Sequence, residues 1–363
     1  MAAVTFVING TLAHASGRFL HLCRAAAEQA GWQPEFLVTQ KADAGTAAAR
    51  QAAIRGVDLV VAAGGDGTIR GCAEGLADTD VPLGILPLGT GNLLARTLGI
   101  PANTKAALSI ALGETAVTQE RRIDLATADG TLFTAMTGMG LDAAVVAATK
   151  FKHHLGWLAY AMAGAVHLAL PPVSFSIRLD DGAPVERQAR SVVVGNSGLL
   201  PGGFTLLPEA RIDDGLLDVG VLAPHGPFGW PKVATRVLTH SQHQDRHLER
   251  FQARKVEITA LAPLPREVDG EVVAHGRTLT VAVRPAALRV RTPARREHDE
   301  DPARDRRPDE ARHRHHDHHR DQARHLHLRR DQDRDLHRDP GRDRDRDRDR
   351  DHDRVPGGTG NER

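Results

Sequence analysis

A short apolar run that ends in three glycines around one aspartate constrains this chain more than any other stretch. Asp58-Leu59-Val60-Val61-Ala62-Ala63 reads as a buried strand, and it flows without a linker into Gly64-Gly65-Asp66-Gly67-Thr68. Glycines there let the backbone approach a ligand closely, because no Cβ stands in the way. Backbone N–H groups in such a turn, with a helix N-terminus behind them, form a concavity for phosphate. A carboxylate at Asp66 would repel phosphate unless Mg²⁺ or a phosphoryl-accepting hydroxyl sits beside it. About twenty residues on, the strand Leu83 to Leu86 runs into a second turn, Gly89-Thr90-Gly91-Asn92, whose hydroxyl and amide can hold phosphate oxygens. One Gly-Gly-Asp-Gly turn can be no more than a tight strand-to-helix connection. Two such turns, each after an apolar strand, point to a phosphate site.

The flanking pattern predicts an α/β fold. Ala3 to Ile8 reads as a first parallel strand ended by Asn9-Gly10, residues 18–30 have helical spacing, Glu35 to Thr39 reads as a strand, and Ala44 to Arg55 is an alanine-rich helix. Strands alternating with helices give a parallel, doubly wound, Rossmann-like sheet with its ligand at the strands' C-terminal ends. That places Asp66 and Thr90 in one crevice. After Arg121-Arg122-Ile123-Asp124 the pattern changes to short β-rich runs separated by turn residues, among them Ser174 to Leu179, Ser191 to Val194, Leu217 to Val221, Lys255 to Ile258 and Leu279 to Val283. These predict a β-sandwich.

Composition divides the chain again near residue 292. From Thr292 to Arg363 there are 20 Arg, 20 Asp or Glu and 10 His, with no Lys, whereas all thirteen aromatic residues lie earlier. Such a tail lacks the apolar surface to offset its ordering entropy, so disorder is expected for 292–363. Its alternating Arg and Asp pair locally and imply no nucleic-acid partner, and its histidines imply no metal catalysis. His240, His243 and His247 sit on a polar segment expected to be a solvated helix. Two cysteines, Cys23 and Cys72, without metal spacing fit a reducing compartment. The N-terminus shows no basic region and no long apolar run, so no signal peptide is expected and the reading is cytoplasmic. Leu155 to Leu170 is apolar but is interrupted by Gly164 and His167, which suits a buried helix better than a membrane span.

The pair GGDGT (Gly64 to Thr68) and GTGN (Gly89 to Asn92) resembles the signature of the diacylglycerol kinase catalytic domain superfamily, which includes sphingosine kinases and bacterial soluble lipid kinases. The likeness covers about residues 3–291. It implies ATP and Mg²⁺ as cofactors, a lipid alcohol as acceptor, peripheral membrane contact, a place in phospholipid synthesis, and a homodimer as one possible assembly. It also implies domains at 1–124 (nucleotide) and 125–291 (lipid), with a last strand near 279–291 returning to the first. Nucleotide contacts carry over to Asn9, Thr39, Gly64, Gly65, Asp66, Gly67, Thr68, Ile69, Arg70, Gly89, Thr90 and Asn92, with Asp66 also counted as catalytic. The segment Arg211 to Val219 matches a family motif in which the Asp before Gly binds Mg²⁺ with flanking carbonyls, here Asp214 with the carbonyls of Arg211 and Leu216; an Asp-Gly turn between strands would look the same. In Val268-Asp269-Gly270-Glu271 the matching Glu is the proposed general base, here Glu271. The segment Leu155 to Leu170 would line the acyl cleft, with Lys150, Lys152, His153 and His154 near headgroups.

The chain also departs from the family. Arg70 and Gly71 stand where relatives usually show Asn and Glu, Leu93-Leu94-Ala95-Arg96 lacks an Asp that some relatives carry, and Asn9-Gly10 with Ser16-Gly17 replaces a tighter phosphate loop. A lipid kinase with diacylglycerol as first substrate is the reading. An NAD kinase, which shares GGDG, and a non-catalytic lipid- or nucleotide-binding protein are the alternatives.

Overall fold

The computed structural model describes residues 2–13, 17–39, 43–114, 116–140, 172–199, 205–224 and 247–294, all within one compact unit, Met1–Arg295. The apolar segment 155–170, the basic residues before it, His240, His243 and the tail beyond residue 294 lie outside the described residues.

Four strands make the parallel layer: β1 (Ala2–Ile8), β2 (Trp32–Val38), β3 (Leu59–Gly64) and β4 (Leu83–Pro87), in the order β4-β3-β1-β2. Every residue of β3 and β4 is buried. That is why β3 reads as an unbroken apolar run: helices cover both faces of a parallel sheet, so alternation has no purpose. Around it lie α1 (Gly10–Ala13), α2 (Gly17–Gln29), α3 (Thr46–Ile54), α4 (Asp66–Leu76), α5 (Leu93–Thr97) and α6 (Thr104–Leu112). Helix α4 packs closely on α3. A Cβ at Gly75 would come 2.4 Å from the Thr46 carbonyl, and one at Gly71 would come 2.9 Å from that of Ala44. Gly71, unusual against the family pattern, therefore has a packing reason: a larger residue would push the phosphate-turn helix off its neighbour. Asn103 caps α6, accepting from the Lys105 and Ala106 amides.

The remaining strands are antiparallel among themselves: β5 (Thr118–Ala128), β6 (Thr131–Phe133), β7 (Met136–Gly140), β8 (Val173–Leu179), β9 (Val185–Ala189), β10 (Ser191–Gly195), β11 (Leu217–Leu222), β12 (Leu248–Ala253), β13 (Lys255–Val268) and β14 (Glu271–Pro293). Together they form the sandwich domain. Two runs that look short in the sequence are long strands. Pro263 and Pro265 resemble a break after Ile258, but β13 crosses them with register shifts between Thr259 and Arg266, where the lost ladder bonds fall at an irregularity. Strand β14 is likewise one strand of 23 residues. Its Leu279 and Val281 sit in the sandwich core, while Ala287, Leu288 and Val290 sit in the core of the parallel layer. It pairs with β13, with β5, and at Val290 with β4. One continuous strand thus belongs to both cores and fixes how the crevice ends of the parallel sheet face the sandwich. His247 is 5% exposed beside the start of β12, so the expected solvated helix does not reach it.

Candidate active site

The C-terminal ends of β1 to β4 bring most of the expected nucleotide residues together. Gly64 ends β3, and Gly65 is the N-cap of α4 in extended conformation. Side by side with them lies the second turn: the Leu88 amide donates to the Gly64 carbonyl at 2.8 Å, and a Cβ at Gly89 would come 2.6 Å from the Gly65 Cα. The two glycine turns touch backbone to backbone, which explains why both need glycine. Gly67, by contrast, has open space where a Cβ would stand, and that space adjoins the N-terminus of an eleven-residue helix.

The turns are also tied by side chains. Asp66 accepts from the amides of Asn92 at 2.8 Å and Leu93 at 2.6 Å. Asn92, in left-handed conformation with φ 49°, accepts from the Gly89 amide through Oδ1 and donates to the Gly89 carbonyl through Nδ2. Asn9 Nδ2 donates to Thr68 Oγ1 at 3.3 Å, and the Gly10 amide donates to Thr39 Oγ1 at 3.3 Å. Thr68 and Ile69 are buried, and the Ile69 amide donates to the Gly65 carbonyl. Their side chains support the turn from beneath instead of facing the crevice. Thr90 is exposed. The sequence alone suggests an Asp66 carboxylate turned toward the phosphates, whereas the structure turns it toward the amides of the second turn.

Across from α4 stands the hairpin turn of β13 and β14. Asp269 and Gly270 have φ 47° and 76°, the paired left-handed conformation that an Asp-Gly dipeptide favours in a two-residue hairpin. The Asp269 carboxylate is buried and accepts from the amides of Thr134, Ala135 and Met136 and from Thr134 Oγ1. Burial pushes its pKa up, against those donors and Arg70, which pull it down. Asp269 is therefore an anchor that fixes the turn to the bend between β6 and β7 and to the start of β7. Glu271, two residues on, has a side chain 58% exposed and faces Arg70 of α4, whose Nη2 lies 3.1 Å from its Oε2; Arg70 Nη1 is 3.9 Å from Asp269. No local pattern could have revealed this contact, because the partners are 201 residues apart.

A third cluster lies at the turn before β11. Asp124, 2% exposed, accepts from the amides of Gly215 and Ala286 at 2.7 Å each, joining β5, that turn and β14. Asp213 pairs with Arg121. Asp214 accepts from the Leu216 amide at 3.0 Å. It reaches the surface but sits in a recess, and lost hydration, with Asp124 and Asp213 nearby, pushes its carboxyl up to about 6. Asp218, 6% exposed, is pushed up to about 7 by burial and by Asp214. At Asp214 desolvation outweighs the pull of Arg211, and carboxylate and carbonyl oxygens are the hard donors that suit Mg²⁺. Among the described residues no three His, Cys, Asp or Glu side chains converge on one point, so a site here would rest on one carboxylate with carbonyls of Arg211 and Leu216.

Similarity to known proteins decides what such a crevice belongs to. Residues 3–128 match the family model described as the diacylglycerol kinase catalytic domain, and residues 135–292 match that of the YegS C-terminal NAD kinase beta sandwich-like domain. A protein of Pseudomonas fluorescens named probable lipid kinase YegS-like is 34% identical over 278 residues, spanning 74% of this chain and 90% of that protein. The chain belongs to the YegS- and diacylglycerol kinase-like family of lipid kinases. The diacylglycerol kinase of Bacillus subtilis is 33% identical over 251 residues, covering 67% of this chain and 81% of its own length. A crystal structure of a diacylglycerol kinase from Bacillus anthracis has a TM-score of 0.59 at 22% identity, over 79% of this chain and 96% of that one, and so shares the fold. Membership of a kinase family implies ATP as the phosphoryl donor. Among its described residues no helix is long and apolar enough to cross a membrane.

Proposed function

We propose that the protein transfers the γ-phosphoryl group of ATP to the hydroxyl of diacylglycerol, with the nucleotide phosphates on the paired glycine turns and Glu271 on the acceptor side. The observation that carries this reading is the position of Glu271. An exposed carboxylate stands one guanidinium away from the helix that begins at the phosphate turn, on an element rigidly anchored by Asp269.

The amides around Gly65 to Thr68 and the exposed Thr90 hydroxyl bind and orient the phosphates. Glu271 takes the proton of the acceptor hydroxyl as that oxygen bonds to the γ-phosphorus and the bond from phosphorus to the ADP oxygen breaks. Little base strength is needed, since the transition state is loose and positioning dominates. Mg²⁺ supplies countercharge; Asp214, with the carbonyls of Arg211 and Leu216, would hold one such ion and rigidify the turn beside Asp124. The lipid enters from a membrane surface that the protein contacts peripherally, from the cytoplasmic side.

The test is transfer from labelled ATP to a panel of diacylglycerol, sphingoid base, phosphatidylglycerol and NAD. Labelled phosphatidic acid as the main product supports the reading. Product only from another lipid alcohol moves the substrate, label on NAD moves the class, and no product with any acceptor leaves a binding protein.

A further inference from the structure

Arg70 stands on the helix that begins at the phosphate turn and reaches across to the β13–β14 turn. It lies four residues into α4, and helical side chains lean toward the helix N-terminus, which here is the phosphate turn. Its guanidinium is nevertheless spent on the sandwich side, 3.1 Å from Glu271 and 3.9 Å from the buried Asp269. As it stands, one of the two Glu271 carboxylate oxygens, Oε2, is already accepting a hydrogen bond.

We propose that Arg70 is a positioning residue that exchanges partners: it holds Glu271 in the nucleotide-free enzyme, and the phosphates of ATP draw it away, freeing the carboxylate for the lipid hydroxyl. This rests on Glu271 being the acceptor-side base. Three observations favour an exchange over a fixed strut. The Glu271 side chain is 58% exposed, and exposed ion pairs are weak and readily surrendered. Only Nη2 of Arg70 lies within hydrogen-bond distance of Glu271, so the fork is not used in full, whereas phosphate can take it in bidentate fashion. Asp269 cannot follow the guanidinium, because its carboxylate is fixed by the amides of Thr134 to Met136; it keeps Arg70 near the turn while Glu271 is released. Nucleotide binding would then precede release of the base.

A double-mutant cycle on the full-length chain tests the exchange, with calorimetric affinity for Mg²⁺ and a non-hydrolysable ATP analogue measured in wild type, Arg70→Gln, Glu271→Gln and the double variant. If ATP must break the pair, Glu271→Gln tightens binding by about 1.5- to 5-fold, the range an exposed pair represents, and does nothing once Arg70 is gone. Arg70→Gln alone weakens binding. Equal tightening in both backgrounds means simple removal of a negative charge and overturns the exchange, as does unchanged or weaker binding in Glu271→Gln. Arg70→Met, which keeps the apolar stem and removes the charge, replaces Arg70→Gln should the latter not fold. Wild type that fails to bind the analogue overturns the nucleotide site and the exchange together. Full coupling in a protein that phosphorylates no lipid leaves the exchange standing and removes the proposed function.

Discussion

Replacing Asp66 by Asn separates two roles that this residue could play. Its carboxylate accepts from two amides of the second glycine turn, at 2.8 and 2.6 Å. Hydrogen bonds to a charged partner are worth about 1.5–3 kcal/mol each. An asparagine keeps one acceptor oxygen, so one bond survives in neutral form, while its NH₂ group faces the other amide, donor against donor. Asp66 is only partly buried, which favours the lower end, and the expected loss is about 2–3 kcal/mol. In a domain of this size that is a fall in Tm of about 4–9 °C. The second turn carries Thr90, so the ATP KM should rise as the turn loosens, several-fold or more, with kcat falling as well. Thermal melts with and without nucleotide, followed by ATP saturation kinetics, measure both. A variant that melts within about 1 °C of wild type while kcat collapses would refute the reasoning: the carboxylate would then act on the reacting groups, and the second turn would hold without it.

Glu271→Gln should lower kcat by about 10²–10⁴-fold, the usual worth of a positioned base, with Tm unchanged because the side chain is exposed; near-normal turnover on the identified lipid would move the base elsewhere. Chelation by EDTA should lower the Tm of wild type by a few degrees and leave Asp214→Asn unaffected, whereas equal sensitivity of both proteins would remove Asp214 from the metal site. Truncation after Ala294 should preserve melting temperature and kinase activity, since both family matches end by residue 292; a clearly lower Tm would show that the tail docks.

Much of the parallel layer is legible in the sequence because its strands are buried on both faces and so read as plain apolar runs. Residues 59–64 and 83–87 need no alternation to be recognised, and the glycine turns after them announce the crevice. The sandwich is harder to read. Pro263, Pro265 and Gly276 look like the ends of strands, yet β13 and β14 pass through them by slipping register, a tertiary solution that local propensity does not see. The site is legible in its residues but not in their directions. Thr39, Asn9 and the two turns converge as expected, while Ile69 points into the core and Asp66 points sideways. Arg70, which in the sequence suits either a phosphate contact or a solvated arginine, instead meets Glu271, because long-range pairing is set by how β14 bridges the two cores.

The acids show why direction is the hard part. Asp66, Asp124 and Asp269 act alike: each accepts two or more backbone amides from a distant segment, holding Asn92 and Leu93, Gly215 and Ala286, and Thr134 to Met136. A carboxylate has several acceptor sites and no donor, so it can close loops whose amides would otherwise be left buried without partners. Asp66 and Asp269 each stand beside a glycine, within a motif that also suggests chemistry, whereas Asp124 lies inside β5. Glu271 differs in one observable respect: its carboxylate is held by the Arg70 guanidinium instead of by amides, and 58% of its side chain stays open. A carboxylate committed to amides is held in a geometry that phosphoryl transfer would have to break. One held by an arginine on an exposed flank can let go. That difference is what supports the proposed place of Glu271 on the acceptor side, whereas these three aspartates hold the glycine turns, the Gly215 turn and the β13–β14 turn in place.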